Sequence, residues 1–122
     1  METGTFRGFE VRLEKPGIAW ITFNTPERLN GMTSGIKRDL IETLNQAQMA
    51  NAVRVIVLTG TGRAFCAGDD LKAYAQGLQA EPGMVPPIPP GHDNAIGTYD
   101  GLRMISQELN RTLRTVDKPT IA

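Results

Sequence analysis

The chain has one cysteine, one histidine and no surplus of charge of either sign. A lone Cys66 excludes an internal disulfide, and without a cysteine cluster no thiolate metal site is expected. Lys and Arg number 13, as do Asp and Glu, so the formal net charge is 0. Binders of nucleic acid or anionic membranes normally carry a basic excess, so neither partner is expected. Uninterrupted apolar runs are only a handful of residues long, far short of a membrane span. Met1-Glu2-Thr3-Gly4 has no basic stretch leading into an apolar one, so no secretory signal is expected and the cytoplasm is the default compartment. What is present is ordinary for a soluble globular chain: 40% apolar and 21% charged residues in a length of 122, enough for one domain.

The apolar residues are patterned. Phe9, Val11 and Leu13 alternate with Glu10, Arg12 and Glu14, which predicts a half-buried strand. Lys15-Pro16-Gly17 is a turn, and Ile18 to Phe23 is the second strand of a hairpin. Asn24 to Gly31 is a loop by its Asn, Pro and Gly content. Thr33 or Ser34 caps a helix to about Met49. Ile36, Leu40, Leu44 and Ala47 form its apolar face, and Lys37, Arg38, Asp39, Glu42 and Gln46 its wet side. Val53 to Leu58 is nearly all apolar, as in a strand covered on both faces, so hairpin, helix and strand together predict a partly parallel α/β sheet. Asp69 to Ala75 reads as a short helix. Five of the eight prolines fall between Pro82 and Pro90, which marks 77–97 as a flexible surface insertion. Thr98 to Val116 is a second long helix, with Leu102, Ile105, Leu109, Leu113 and Val116 on one face, and Thr120-Ile121-Ala122 begins a strand.

Few residues suggest chemistry by themselves. Gly60-Thr61-Gly62 follows a strand, but Phe65 stands where a dinucleotide fingerprint needs glycine, and no Gly-Lys-Ser/Thr follows, so a plain turn is expected. His92, within the insertion, has no partner at ligand spacing and reads as a solvated residue. Cys66, between Phe65 and Ala67, reads as a small buried hydrophobe. Asp69-Asp70 admits two readings. Acids in a first helical turn cap exposed N–H groups and complement the helix dipole. Alternatively the backbone itself is the functional group: Ala67-Gly68 puts no bulk beside the chain, and a helix start presents N–H groups suited to an oxyanion.

Four stretches together resemble the enoyl-CoA hydratase/isomerase, or crotonase, family: Gly17 to Met32, Val53 to Gly60, Arg63-Ala64-Phe65-Cys66-Ala67-Gly68-Asp69-Asp70-Leu71, and Lys118-Pro119-Thr120-Ile121-Ala122. The resemblance runs from about residue 8 onward, apart from the insertion, and implies the N-terminal ββαβα portion of a crotonase-type (ClpP/crotonase) spiral fold. It implies an acyl-CoA thioester as substrate, no cofactor, no metal and a homo-trimeric or hexameric assembly. It implies that the backbone N–H of Asp69 is one of two donors to the thioester oxygen, although family members often carry Ala or Gly there. It further implies that Arg28, Leu29, Gly31, Ala67, Gly68, Asp69, Asp70 and Leu71 line the path of CoA, with Arg28 near a phosphate.

In the resembling proteins a glycine-rich turn after the Lys-Pro-x-Ile-Ala segment supplies the second donor and, in hydratases, the acid and base carboxylates. Residues 1–122 are accordingly expected to be the N-terminal segment of a longer domain, and to be inactive alone. The expected activity is that of an enoyl-CoA hydratase or isomerase, with the reaction within the family unspecified. The rival readings are a non-catalytic short form that serves as an assembly or interaction module, and a generic phosphate binder on Gly60-Thr61-Gly62.

Overall fold

The computed structural model describes residues 1–75 and 95–122, so the expectations for 76–94, including His92 and most of the insertion, lie outside the described residues. The predicted hairpin is β2 (Phe9–Glu14) with β3 (Ile18–Phe23), paired antiparallel in the register Phe9↔Phe23 and Arg12↔Trp20. Their alternation is real: Phe9, Val11, Ala19, Ile21 and Phe23 are buried, whereas Leu13, near the turn, is exposed. A short strand that no pattern announced, β1 (Gly4–Phe6), adds to the outer edge of β2.

Helix α1 (Ser34–Met49) crosses over to β4 (Val55–Gly60), which lies parallel to β3 with Ile21 opposite Leu58. Strand β4 starts two residues later than predicted and runs on to Gly60. Ile56 and Leu58 are buried but Val55 and Val57 only partly so, hence one face is packed and the other is half covered. Helix α2 (Leu71–Ala75) follows. Helix α3 (Ala95–Gly101) passes through a π-helical turn, Leu102–Ser106, into α4 (Gln107–Thr115). This long helix begins at Ala95, not Thr98, so residues 95–97 belong to it and not to the insertion. Strand β5 (Thr120–Ile121) closes a five-stranded sheet of order β1-β2-β3-β4-β5, parallel to β4. The expected ββαβα α/β order is therefore present, with β1 and β5 added.

The core joins the sheet to both long helices. Ile36, Leu40, Leu44 and Ala47 of α1 pack with Phe9, Ile21 and Ile56 of the sheet and with Leu109 of α4. Thr33 is the cap of α1: its hydroxyl accepts the Ile36 N–H at 3.2 Å. At the other end Lys118 Nζ donates to the carbonyls of Ala47 (2.6 Å) and Ala50 (2.7 Å), placing a cation where the helix dipole is negative. The Pro119 carbonyl then accepts the Ile56 N–H at 2.9 Å and docks β5.

Three side-chain assignments change. Lys37 and Asp39, read from the sequence as wet, are both buried; for Lys37 the reason is the π turn that packs against α1, whose Ser106 takes its ammonium. Leu102, predicted on the buried face, is exposed. The Gln107 N–H bonds to the Leu102 carbonyl, and this wider turn puts residues before it out of phase with those after it.

Candidate functional site

The site is built from the loops that follow β3 and β4. After β3, Pro26–Arg28 forms one 3-10 turn, and Leu29 (φ 52°) and Asn30 (φ 56°) then adopt left-handed backbone that reverses the chain. The Asn30 side chain, 1% exposed, donates to the carbonyls of Thr61 (3.0 Å) and Ala64 (2.8 Å) and accepts the Thr25 N–H (2.9 Å). One amide thereby holds both loops together. Gly60 lies beneath it: a Cβ there would stand 2.6 Å from the Phe65 carbonyl and 2.8 Å from Asn30 Nδ2, and against the Ala64 carbonyl. The Thr61 N–H donates to the Phe23 carbonyl at 2.9 Å. Gly60-Thr61-Gly62 is thus a strand-to-loop turn packed against its own protein.

This clamp brings residues 29–32 alongside 67–70. The Ala67 N–H donates to the Leu29 carbonyl (3.0 Å), the Met32 N–H to the Gly68 carbonyl (2.8 Å), and the Asp70 N–H to the Met32 carbonyl (2.9 Å). Met32 and Asp69 form a one-residue parallel bridge. The Gly68 N–H lies 3.4 Å from Cys66 Sγ, and Cys66 is half-buried against the core, close to its expected place. Gly68 itself has φ 99°, a conformation that suits glycine. Of the four successive amides only that of Asp69 has no hydrogen-bond partner among the described residues. In this bridge Met32 makes both bonds, to Gly68 and Asp70 on either side of Asp69, so Asp69 directs its own N–H to the opposite side.

The two acids separate into different roles. Asp70, buried, caps α2: its Oδ1 accepts the Ala73 N–H at 2.9 Å, and its Oδ2 meets Arg28 Nη1 at 3.0 Å. The Ala73 N–H and then Arg28 hold its carboxyl below the usual aspartate range, against the opposing effect of burial. Asp69 points its carboxylate at Lys37 Nζ, an ammonium that also donates to Ser106 Oγ at 3.0 Å. All eight residues singled out in the sequence, Arg28, Leu29, Gly31, Ala67, Gly68, Asp69, Asp70 and Leu71, meet at this corner. Gly31 allows the close approach of Asp70, and Leu71 stands exposed at the rim.

Asn30 and Lys37 escape sequence reasoning. Asn30 looks like any loop asparagine, and the partners of Lys37 lie 32 and 69 residues away. The arrangement offers one outward N–H beside a glycine, with each neighbouring carboxylate already matched to a cation. Such a corner can accept a hydrogen bond acceptor that gains negative charge.

Comparison with known proteins gives a consistent picture. The sequence model described as enoyl-CoA hydratase/isomerase matches residues 14–86. A Mycobacterium leprae protein named probable enoyl-CoA hydratase is 35% identical over 108 residues, which is 88% of this chain and 33% of that protein. A hydroxycinnamoyl-CoA hydratase-lyase of Pseudomonas fluorescens is 38% identical over 79 residues, 65% of this chain and 28% of that one. Among solved structures, a probable enoyl-CoA hydratase/isomerase of Mycobacterium abscessus superposes with a TM-score of 0.73 at 26% identity, over 93% of this chain and 37% of that chain. The chain therefore spans about a third of the length of the curated relatives it matches.

Proposed function

Because the chain belongs to the enoyl-CoA hydratase/isomerase family, we propose that it forms the part of an acyl-CoA-processing enzyme that holds the thioester carbonyl through the Asp69 N–H. The observation that carries this reading is the amide itself: Ala67, Gly68 and Asp70 have partners for theirs, and Asp69 has none among the described residues. When water adds to a 2-enoyl thioester, or its double bond shifts, negative charge collects on the thioester oxygen. A fixed N–H stabilises that charge more than the neutral carbonyl, and so lowers the barrier. Leu29, Gly31 and Ala67 to Leu71 line the CoA path in this reading, supported by their meeting along one backbone seam. Arg28 holds Asp70 and thereby the seam. A further donor and the acid and base groups come from outside this chain, in a protein of ordinary family length that assembles as trimers or hexamers.

The test is a pair of substitutions. Asp69→Pro deletes the N–H, yet every hydrogen bond of the Met32–Asp69 bridge uses other atoms, and proline suits the start of a helix. Thioester turnover in the protein carrying this chain is expected to fall about 10²-fold or more below that of Asp69→Ala, the usual worth of one oxyanion donor. A folded Asp69→Pro protein as active as Asp69→Ala refutes the assignment.

A second reading, an assembly module, is favoured by the apolar side chains left exposed on α3 and the π turn: Ile96, Tyr99, Leu102 and Met104. Sedimentation that shows a monomer at every concentration removes it.

A further inference from the structure

An acid at the oxyanion-donor position is an electrostatic contradiction. A carboxylate beside the proposed donor repels the charge that the donor is there to stabilise. The structure contains a resolution. The Asp69 side chain is 52% exposed, whereas Lys37, the cation it reaches, is 8% exposed. The carboxylate thus turns back from an exposed corner towards an ammonium sunk between α1 and the π turn. Lys37 is anchored there by Ser106 Oγ, at 3.0 Å, the last residue of that turn. Three separate segments, α1, the corner and the long helix, converge on one Nζ. A lysine that was merely filling space would extend its charge to water, as long cationic side chains ordinarily do.

We propose that Lys37 is a positioning residue for the oxyanion corner: it draws the Asp69 carboxylate away from the face presented by the Asp69 N–H and cancels its charge, with Ser106 fixing the ammonium. This inference rests on the Asp69 reading above. It makes the pair, and not either residue alone, the functional unit. Losing Lys37 is then worse than losing both, because the single loss leaves an uncompensated carboxylate next to the developing oxyanion.

The experiment compares two thioesters in binding to the protein as expressed. The acyl group of acetoacetyl-CoA ionises to an enolate; that of butyryl-CoA stays uncharged at the same pH. Dissociation constants are measured by calorimetry for wild type, Lys37→Met, Asp69→Ala and the Lys37→Met/Asp69→Ala double variant. Lys37→Met is expected to weaken acetoacetyl-CoA about tenfold relative to butyryl-CoA, the size of one partly solvated charge near an anion. The double variant is expected to recover most of that selective loss. A merely structural role weakens both ligands alike and is not relieved by the second substitution, and that outcome overturns the proposal. So does a Lys37→Met protein with the wild-type preference. If circular dichroism shows Lys37→Met unfolded, Lys37→Gln, which keeps a donor without the charge, takes its place in the same comparison. Asp69→Pro separates the two levels. If it leaves acetoacetyl-CoA binding intact, or if wild type binds neither thioester, the oxyanion reading itself fails. If Asp69→Pro abolishes the preference but the double variant recovers nothing, only the role of Lys37 is lost.

Discussion

Asn30 does the most for the site of any side chain that never faces it. Its three hydrogen bonds join backbone atoms of two loops, and its own φ of 56° lies where asparagine is better tolerated than most residues. Asn30→Ala strands two carbonyls and one N–H in a place nearly closed to water, and is expected to cost about 2–4 kcal/mol, read from a urea midpoint. Asp70 gives a pH-dependent counterpart. Its carboxyl is held below the ordinary aspartate range when folded, so its contribution is complete above the unfolded value, about pH 4, and is lost as pH falls through the folded one. Asp70→Asn keeps a capping oxygen but not the charge opposite Arg28. The stability gap between wild type and Asp70→Asn is therefore expected to be widest at neutral pH and to close on acidification below about pH 4. A gap constant from pH 7 to pH 3 contradicts the assigned cause.

At the scale of elements, legibility follows the range of the forces involved. Alternation in β2 and β3, the period of α1 and its Thr33 cap are local, and they are readable because each depends on residues within a few positions. Strand β1 has only Gly4, Thr5 and Phe6 to show, too few for a period, and exists because β2 offers an edge. The burial of Lys37 is set by a helix that arrives dozens of residues later, so no window of sequence contains it. The family motif marks the corner at 67–71 clearly, but neither Asn30 nor Lys37 carries a local signal. The two ends of α1 supply a prediction. Thr33→Ala removes the cap and is expected to cost about 1 kcal/mol. Lys118→Met removes a donor from the Ala47 and Ala50 carbonyls at the end of α1, leaving Ala50 only the Val53 N–H, with a similar expected cost of about 1 kcal/mol, and also loosens β5. Amide exchange should then quicken at Ile121, whose strand Lys118 anchors, while β2 and β3 are unaffected. Equal quickening throughout the sheet contradicts this division.

For the molecule as a whole, the expected behaviour is binding without turnover. Both carboxylates at the corner are engaged, Asp69 by Lys37 and Asp70 by Arg28 and the Ala73 N–H, so neither is available to move a substrate proton. The purified 122-residue chain is expected to leave crotonyl-CoA unhydrated; hydration at ordinary enzyme rates refutes this placement of the acid and base groups. The clamp that makes the corner has one more consequence. Its contacts span 31 to 42 residues, from Asn30 to Thr61 and from Arg28 to Asp70, and enclose α1 and β4, the part of the crossover that follows β3. No shorter piece of chain has the seam, so the corner comes into being only when that crossover closes. A thioester that binds there recognises the native state and not the unfolded one. Occupancy therefore acts as a measure of foldedness: a ligand at a hundred times its Kd adds about 2.7 kcal/mol to the stability of the chain. Under the proposed reading, acyl-CoA supply is then expected to raise the folded fraction of this chain, which a thermal melt with and without the thioester checks.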